Sequence, residues 1–139
     1  MAKFTLDIEE NYDFALIGIS CHSKDYKLAY ELNRTLEIDL LRDREEDLEK
    51  VTKEGVGIFA LYKFFHDEDL LDYFLISNYS DNGLLIPEQK GIDFFMIIKG
   101  AINDNLTQDI TDKINSSPIV LTAVEIDING LKSKKNLIL

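Results

Sequence analysis

The sequence predicts an α+β fold: a single two-layer domain over residues 1–139, with a mainly antiparallel sheet of five to six strands and two helices on one face. Three observations predict it. Several apolar runs have the two-residue period of strands, two segments carry a helical stripe, and turn residues separate them in the order β-β-α-β-β-β-α-β. The length, with 45% hydrophobic and 29% charged residues, suits one core of ordinary composition.

"KFTLDIE" alternates Phe4, Leu6 and Ile8 against polar neighbours, so it is expected as a half-buried strand. "NYD" turns the chain, and "FALIGIS" (14–20) reads as a second strand. It is apolar on both faces, hence central, and a hairpin with the first is expected. Ser23 is placed to cap a helix over about 24–34, whose stripe is read as Tyr26, Leu28, Ala29, Tyr30 and Leu32. "LEIDL" (36–40) alternates as a short extended piece. The charged stretch up to Gly55 reads as either a solvated helix or a mobile connection.

"VGIFALYKFF" (56–65) reads as one long strand, "HDED" as a polar turn and "LLDYFLISN" as the return strand. "SDNG" puts Asn82-Gly83 between apolar runs as a hairpin turn, because both central residues tolerate positive φ. Pro87 stops the ladder and Gly91 allows a bend before the strand "IDFFMIIK". Asn103 or Asn105 caps a second helix with the inner stripe Leu106, Ile110 and Ile114, ended before Pro118. "IVLTAVEIDI" is the last expected strand, and the basic tail "KSKKNLIL" is expected to dock on its own acidic body.

A net charge of −11 repels phosphate backbones and anionic lipid, so nucleic-acid and membrane-surface partners are not expected. The single cysteine forms no internal disulfide and fits a reducing compartment. "MAKFTLDIEE" lacks a basic segment followed by an apolar one, and the longest apolar run, "FFMII", is too short for a bilayer. A cytoplasmic protein is therefore expected. Nucleotide, dinucleotide, hydrolase and zinc-protease motifs are absent, so no cofactor is assigned. No metal is assigned either: "HDED" and "DREEDLEK" read as solvated, and the two histidines have no ligand spacing.

The informative stretch is "IPEQKGIDFF". Alternation puts Ile92, Phe94, Met96 and Ile98 on one face and Asp93, Phe95 and Ile97 on the other, so Asp93 shares an apolar face. A buried carboxylate needs a partner or a place at the sheet's rim. Either Asp93 and Glu88 pin backbone groups, or they form a pair in a cleft for acid–base work or cation binding. Cys21, beside His22 before a helix, is the only other candidate, as a reactive thiol.

Ile86-Pro87-Glu88, three further positions, then Ile92-Asp93-Phe94 resemble the motif that names the IPExxxVDY family of small bacterial proteins, chiefly from Bacteroidetes. The motif spans nine residues. Ile92 stands for Val and Phe94 for Tyr, so no role for the tyrosine hydroxyl carries over. The resemblance implies a bacterial origin and no particular activity. It places any site on Ile86, Pro87, Glu88, Ile92, Asp93 and Phe94, with Gly91 at the bend between them.

Three functions follow from this reading, in order of preference. The first is a non-enzymatic binding module, a homodimer or partner-bound, using the face without helices and the aromatics Tyr62, Phe64, Tyr73 and Phe74. The second is a small-molecule sensor or carrier with a cationic or hydroxyl-bearing ligand near Glu88 and Asp93. It requires a pocket of about 300 Å³ or more beside the loop. The third is an enzyme with these carboxylates as acid and base, which requires both to face one cavity.

Overall fold

The structure, a computed structural model, describes residues 13–139. The strand expected around Phe4, Leu6 and Ile8 lies outside these residues. Strand β1 (Ala15–Ser20) is followed by helix α1 (Asp25–Leu36), then β2 (Leu41–Arg42), β3 (Leu48–Thr52), β4 (Gly55–Phe59), β5 (Leu61–His66) and β6 (Leu71–Ser77). The short strands β7 (Tyr79–Ser80) and β8 (Gly83–Leu84) precede β9 (Phe94–Gly100), helix α2 (Asp104–Asn115) and β10 (Thr122–Glu125). Single 3-10 turns at Ile128–Gly130 and Lys134–Leu137 close the described chain.

Six strands form one antiparallel sheet in the order β10-β1-β9-β6-β5-β2. The fold is thus α+β with a mainly antiparallel sheet and two helices, as the pattern of periods predicts. β1 is interior, as its two apolar faces require. It pairs with β9 on one side and β10 on the other, and the expected hairpin with the segment before it lies outside the described residues.

On one face Ile17, Leu75, Met96 and Ile98 meet Leu28 and Leu32 of α1 and Ile110 and Ile114 of α2. Helix α2 starts where asparagine allows it: Asn103 Oδ1 accepts the Leu106 amide at 2.8 Å, as expected of an N-cap. Helix α1 departs from expectation. Lys24, not Ser23, occupies its N-cap position, with no side-chain cap.

The other face carries Leu16, Phe74, Ile76, Phe95 and Ile97. Among the described residues no helix covers it, yet it is not open. Leu85, Ile86 and Ile92 from the β8–β9 loop, Phe59 from β4, and Ile128, Leu131 and Leu137 from the C-terminal stretch bury it. The tail docks on its own body, and the second face needs no partner to leave water. Tyr62, Tyr73 and Phe74, expected as contact aromatics, are buried in these two cores, and Phe64 packs against the first.

Gly18 is part of that closure. A Cβ there would lie 2.5 Å from Ile126 Cδ1 and 2.9 Å from Ile92 Cδ1, so these isoleucines cross β1 where a side chain is missing. Ile92 therefore joins Phe95 and Ile97 rather than Phe94. The expected alternation fails because β9 starts only at Phe94 and the chain before it turns.

Other boundaries also shift. Residues 43–55 are neither helix nor open connection: a 3-10 turn at Arg44–Glu46 leads into β3, which pairs with β4 as a ribbon. The expected strand over 56–65 is therefore two strands, broken at Ala60, with β4 leaving the main sheet. "LEIDL" is not a strand. α1 runs to Leu36, Glu37 takes a left-handed φ of 56°, and pairing starts at Leu41. In "SDNG" the turn is Asp81-Asn82, with Gly83 (φ 103°) already in β8. The last strand shrinks to Thr122–Glu125.

Sheet edges attract other strands unless blunted. Here two helix asparagines stand in for neighbouring strands. Asn115 Oδ1 accepts the Ala123 amide and its Nδ2 donates to the Ala123 carbonyl, both at 2.8 Å, on the β10 edge. Asn33 does the same for Leu40, at 2.7 and 3.2 Å, beside β2.

A polar seam ties α1 to the sheet. Arg42 donates to both Asp47 oxygens (3.1 and 2.7 Å) and to Asp25 Oδ2 (3.3 Å), and the Tyr62 hydroxyl donates to the same Asp25 oxygen at 3.0 Å. Burial, and then the bond to Asp25, push the Tyr62 phenol up to about 12. Its contribution to stability is complete below the ordinary tyrosine value of 10 and disappears as pH rises through about 12. An alkaline absorbance titration is expected to show a late tyrosine step near pH 12 that Tyr62→Phe removes, while the Tyr73 phenol, also raised by burial, keeps its own step. Ionisation of every tyrosine near 10 would contradict this seam.

Candidate functional site

The β8–β9 loop holds the residues singled out in the sequence, and a residue outside that set organises it. Asn78, just after β6, is 0% exposed. Its Nδ2 donates to the carbonyls of Gln89 (3.0 Å) and Ile92 (2.8 Å), and its Oδ1 accepts the Ile86 amide at 2.8 Å. Its backbone adds bonds from the Leu85 amide and to the Asp93 carbonyl, both at 2.9 Å. One asparagine thus satisfies the inward polar groups of a loop whose inner side is buried, which otherwise cost free energy. Turns from Gln89 N to the Ile86 carbonyl and from Ile92 N to the Gln89 carbonyl complete it. Pro87, exposed between them, needs no donor there.

Asp93 joins the loop to β1. Its amide donates to the Ile19 carbonyl (2.9 Å), and its Oδ2 accepts the Cys21 amide (2.8 Å) just past the end of β1. The carboxylate takes over where the ladder stops and the chain leaves for α1. Ser20 adds a bond from its hydroxyl to the Gly91 carbonyl at 2.7 Å. The partner that an aspartate on an apolar face requires is therefore a backbone amide.

Glu88 points elsewhere. Its Oε2 accepts the Ser133 amide (2.7 Å) and its Oε1 accepts the Ser133 hydroxyl (2.9 Å). Asn136 Nδ2 donates to the Leu85 carbonyl at 2.7 Å beside it. Burial raises the Glu88 carboxyl, but the bonds from Ser133 and neighbouring amides prevail and hold it below its ordinary value. The loop is thereby stitched to the tail. Glu88 and Asp93 serve different seams, and neither lines the groove of about 580 Å³ beside the loop, between Thr52, Lys53, Pro87, Lys90, Ser133 and Asn136.

The remaining motif residues are structural in position. Ile86 and Ile92 are buried in the second core, Phe94 in the first, and Gly91 is an exposed bend with open space where a Cβ would be. Cys21 is 2% exposed within the helix-side core, whereas His22 is exposed. A thiol shut from solvent has no access to a substrate. Among the described residues no three or more His, Cys, Asp and Glu converge to hold a metal, and no helix is long and apolar enough to cross a membrane.

Asp93 gives a clean test of the seam. Asp93→Ala is expected to lose about 1–2 kcal/mol in urea denaturation, because the Cys21 amide loses its acceptor. Asp93→Asn keeps an acceptor and should stay within about 0.5 kcal/mol of wild type. Equal losses in both variants would show that the charge, not the bond, matters.

The exposed apolar surface lies away from the loop. Tyr26 and Tyr30, read in the sequence as part of the core stripe, are 59% and 63% exposed; the buried stripe of α1 is Leu28, Ala29 and Leu32. With Lys27, Glu31 and Ile119 they frame a mainly apolar groove of about 480 Å³. The helical period held this signal. At about 100° per residue, both tyrosines fall opposite Leu28 and Leu32. A second exposed set, Val51, Val56 and Ile58, lies on the β3–β4 ribbon. Neither a family model nor a curated protein matches the chain.

Proposed function

We propose that this protein is a non-enzymatic binding module that docks another protein on the outward face of α1. The observation that carries the reading is the groove between Tyr26, Tyr30 and Ile119, where two aromatic side chains stand in solvent on one helix face. Tyrosines contribute large contact area at low entropic cost and are enriched in binding hot spots. The spent carboxylates support the same reading: Glu88 and Asp93 are both engaged by the chain's own amides. The partner is a different protein rather than a second copy. Asn33 and Asn115 blunt both sheet edges, and a net charge of −11 repels a twin. Charge complementarity favours a neutral or basic partner that inserts one or two apolar side chains between Lys27 and Glu31.

Under this reading the Ile-Pro-Glu loop, with its resemblance to the IPExxxVDY family, builds the second face instead of a ligand site. The single thiol fits a bacterial cytoplasm. The test is a photo-crosslinking residue at position 30, used in the native cell. One discrete adduct is expected. The crosslinked partner, once purified, should bind the wild-type protein and lose tenfold or more with Tyr26→Ala/Tyr30→Ala at unchanged melting temperature. Unchanged binding by the double variant, or no discrete adduct, would remove the proposal.

A further inference from the structure

The groove beside the β8–β9 loop has the wrong sign for the cationic ligand that two carboxylates suggest. We propose that it is a site for a phosphorylated small molecule, held by Lys53 and Lys90. It lies on the side of the sheet away from the helices and is independent of the docking face on α1.

Lys53 comes from the β3–β4 turn and Lys90 from the β8–β9 loop, 37 positions apart in the chain, and the fold brings both to one groove. Among the described residues neither ammonium group has an ion-pair partner, in a chain with 26 acidic and 15 basic residues. The charged residues that line the groove are Lys53, Lys90 and Glu54. That is two positive charges against one negative, a net positive lining in a molecule of −11. A concave surface of net positive charge concentrates anionic small molecules.

The polar side chains of the walls also limit the ligand. The Thr52 hydroxyl is tied to the Asn82 carbonyl, Ser133 to Glu88, and Asn136 to the Leu85 carbonyl. The lysines therefore remain as the principal side-chain donors. A lysine is a compact point charge with three rotatable donors, suited to a tetrahedral dianion, whereas planar carboxylates are matched by arginine's fork. Glu54, held beside Thr52, offers an acceptor for a ligand hydroxyl. Val51, Leu84 and Pro87 give the rest of the ligand an apolar wall. A groove of about 580 Å³ is large enough for a small phosphate ester.

The experiment is an amide-resolved NMR titration of the full chain at fixed ionic strength with glycerol 3-phosphate, inorganic phosphate, glycerol and glycerate. Glycerol 3-phosphate should shift residues 51–54 and 84–90 saturably, inorganic phosphate more weakly, and glycerol not at all. Lys53→Gln/Lys90→Gln should weaken binding tenfold or more. Lys113→Gln, which alters a lysine paired with Asp109 on α2, should leave it unchanged. Three results overturn the proposal. They are shifts that do not saturate, binding that survives in the double variant, and glycerate binding as tightly as the phosphate ester.

Discussion

Asn78→Ala is expected to lose about 3–5 kcal/mol of folding free energy and to lower the melting temperature by roughly 10 °C or more. The substitution deletes three hydrogen bonds at a fully buried position and orphans the Ile86 amide and the Ile92 carbonyl, while the Gln89 carbonyl keeps only the Ile92 amide. Each such buried group costs about 1–3 kcal/mol when its partner is removed. Chemical denaturation with fluorescence or far-UV detection measures the loss. Asn78→Asp separates donor from acceptor. It keeps an oxygen for Ile86 but turns a second oxygen towards two carbonyls. Its deficit relative to wild type should be largest at neutral pH and shrink as pH falls, because a protonated aspartate can again donate one bond. A deficit equal at pH 4 and pH 7 would mean that the amide donors are not what holds the loop.

That residue was the hardest to see in the sequence. Nothing in "LISNYS" separates Asn78 from any polar residue that ends a strand, since its partners lie 8, 11 and 14 positions away along an irregular loop. Asp93 and Glu88 were visible because a carboxylate among apolar neighbours, or between Pro and Gln, breaks a local pattern. What each one binds was not visible. The Cys21 amide is 72 positions from Asp93, and Ser133 is 45 from Glu88. Local periodicity carries no information about such pairings. Lys53 and Lys90 carry no sequence signal either, since an isolated surface lysine has no pattern to break.

The fold was legible where turn residues bound a continuous apolar run or where a helical stripe is clean. β6 and α2 are examples, with Ile110 and Ile114 where their stripe requires. It failed where apolar character runs through a topological break. Val56–Phe65 is apolar but for Lys63, so the exit from ribbon to sheet at Ala60 leaves no mark in composition. It failed again in β3, whose pattern of Leu48, Lys50 and Thr52 against Glu49 and Val51 is polar on both sides. That strand is held by pairing with β4 rather than by burying a face of its own. The expectation of an open second face assumed that only helices or partners can cover a sheet. Here irregular chain does so, because Asn78, Asp93 and Glu88 satisfy polar groups that irregular chain would otherwise bury unpaired.

Leu137→Asp tests that cover, and its expected effect is comparable in size. Leu137 is buried in the second core, within the turn that follows Ser133. An aspartate there meets no partner in the apolar cluster, and burying it charged costs several kcal/mol. The chain escapes part of this cost by undocking the tail locally, so the global loss should stop at about 2–4 kcal/mol while the sheet face is uncovered. The readout is therefore double: a lower denaturation midpoint, together with dye binding and concentration-dependent self-association in sedimentation. Acid should act on the same contact in the wild type. Glu88 is held below its ordinary value of 4.5, so its contribution is complete above that value and is lost as pH falls through the lower folded one. Glu88→Gln should remove this part of the acid sensitivity and leave Leu137→Asp as uncovered as before. A monomeric, dye-silent Leu137→Asp protein would show that the tail is not what keeps the second face from water, and a partner would again be needed there.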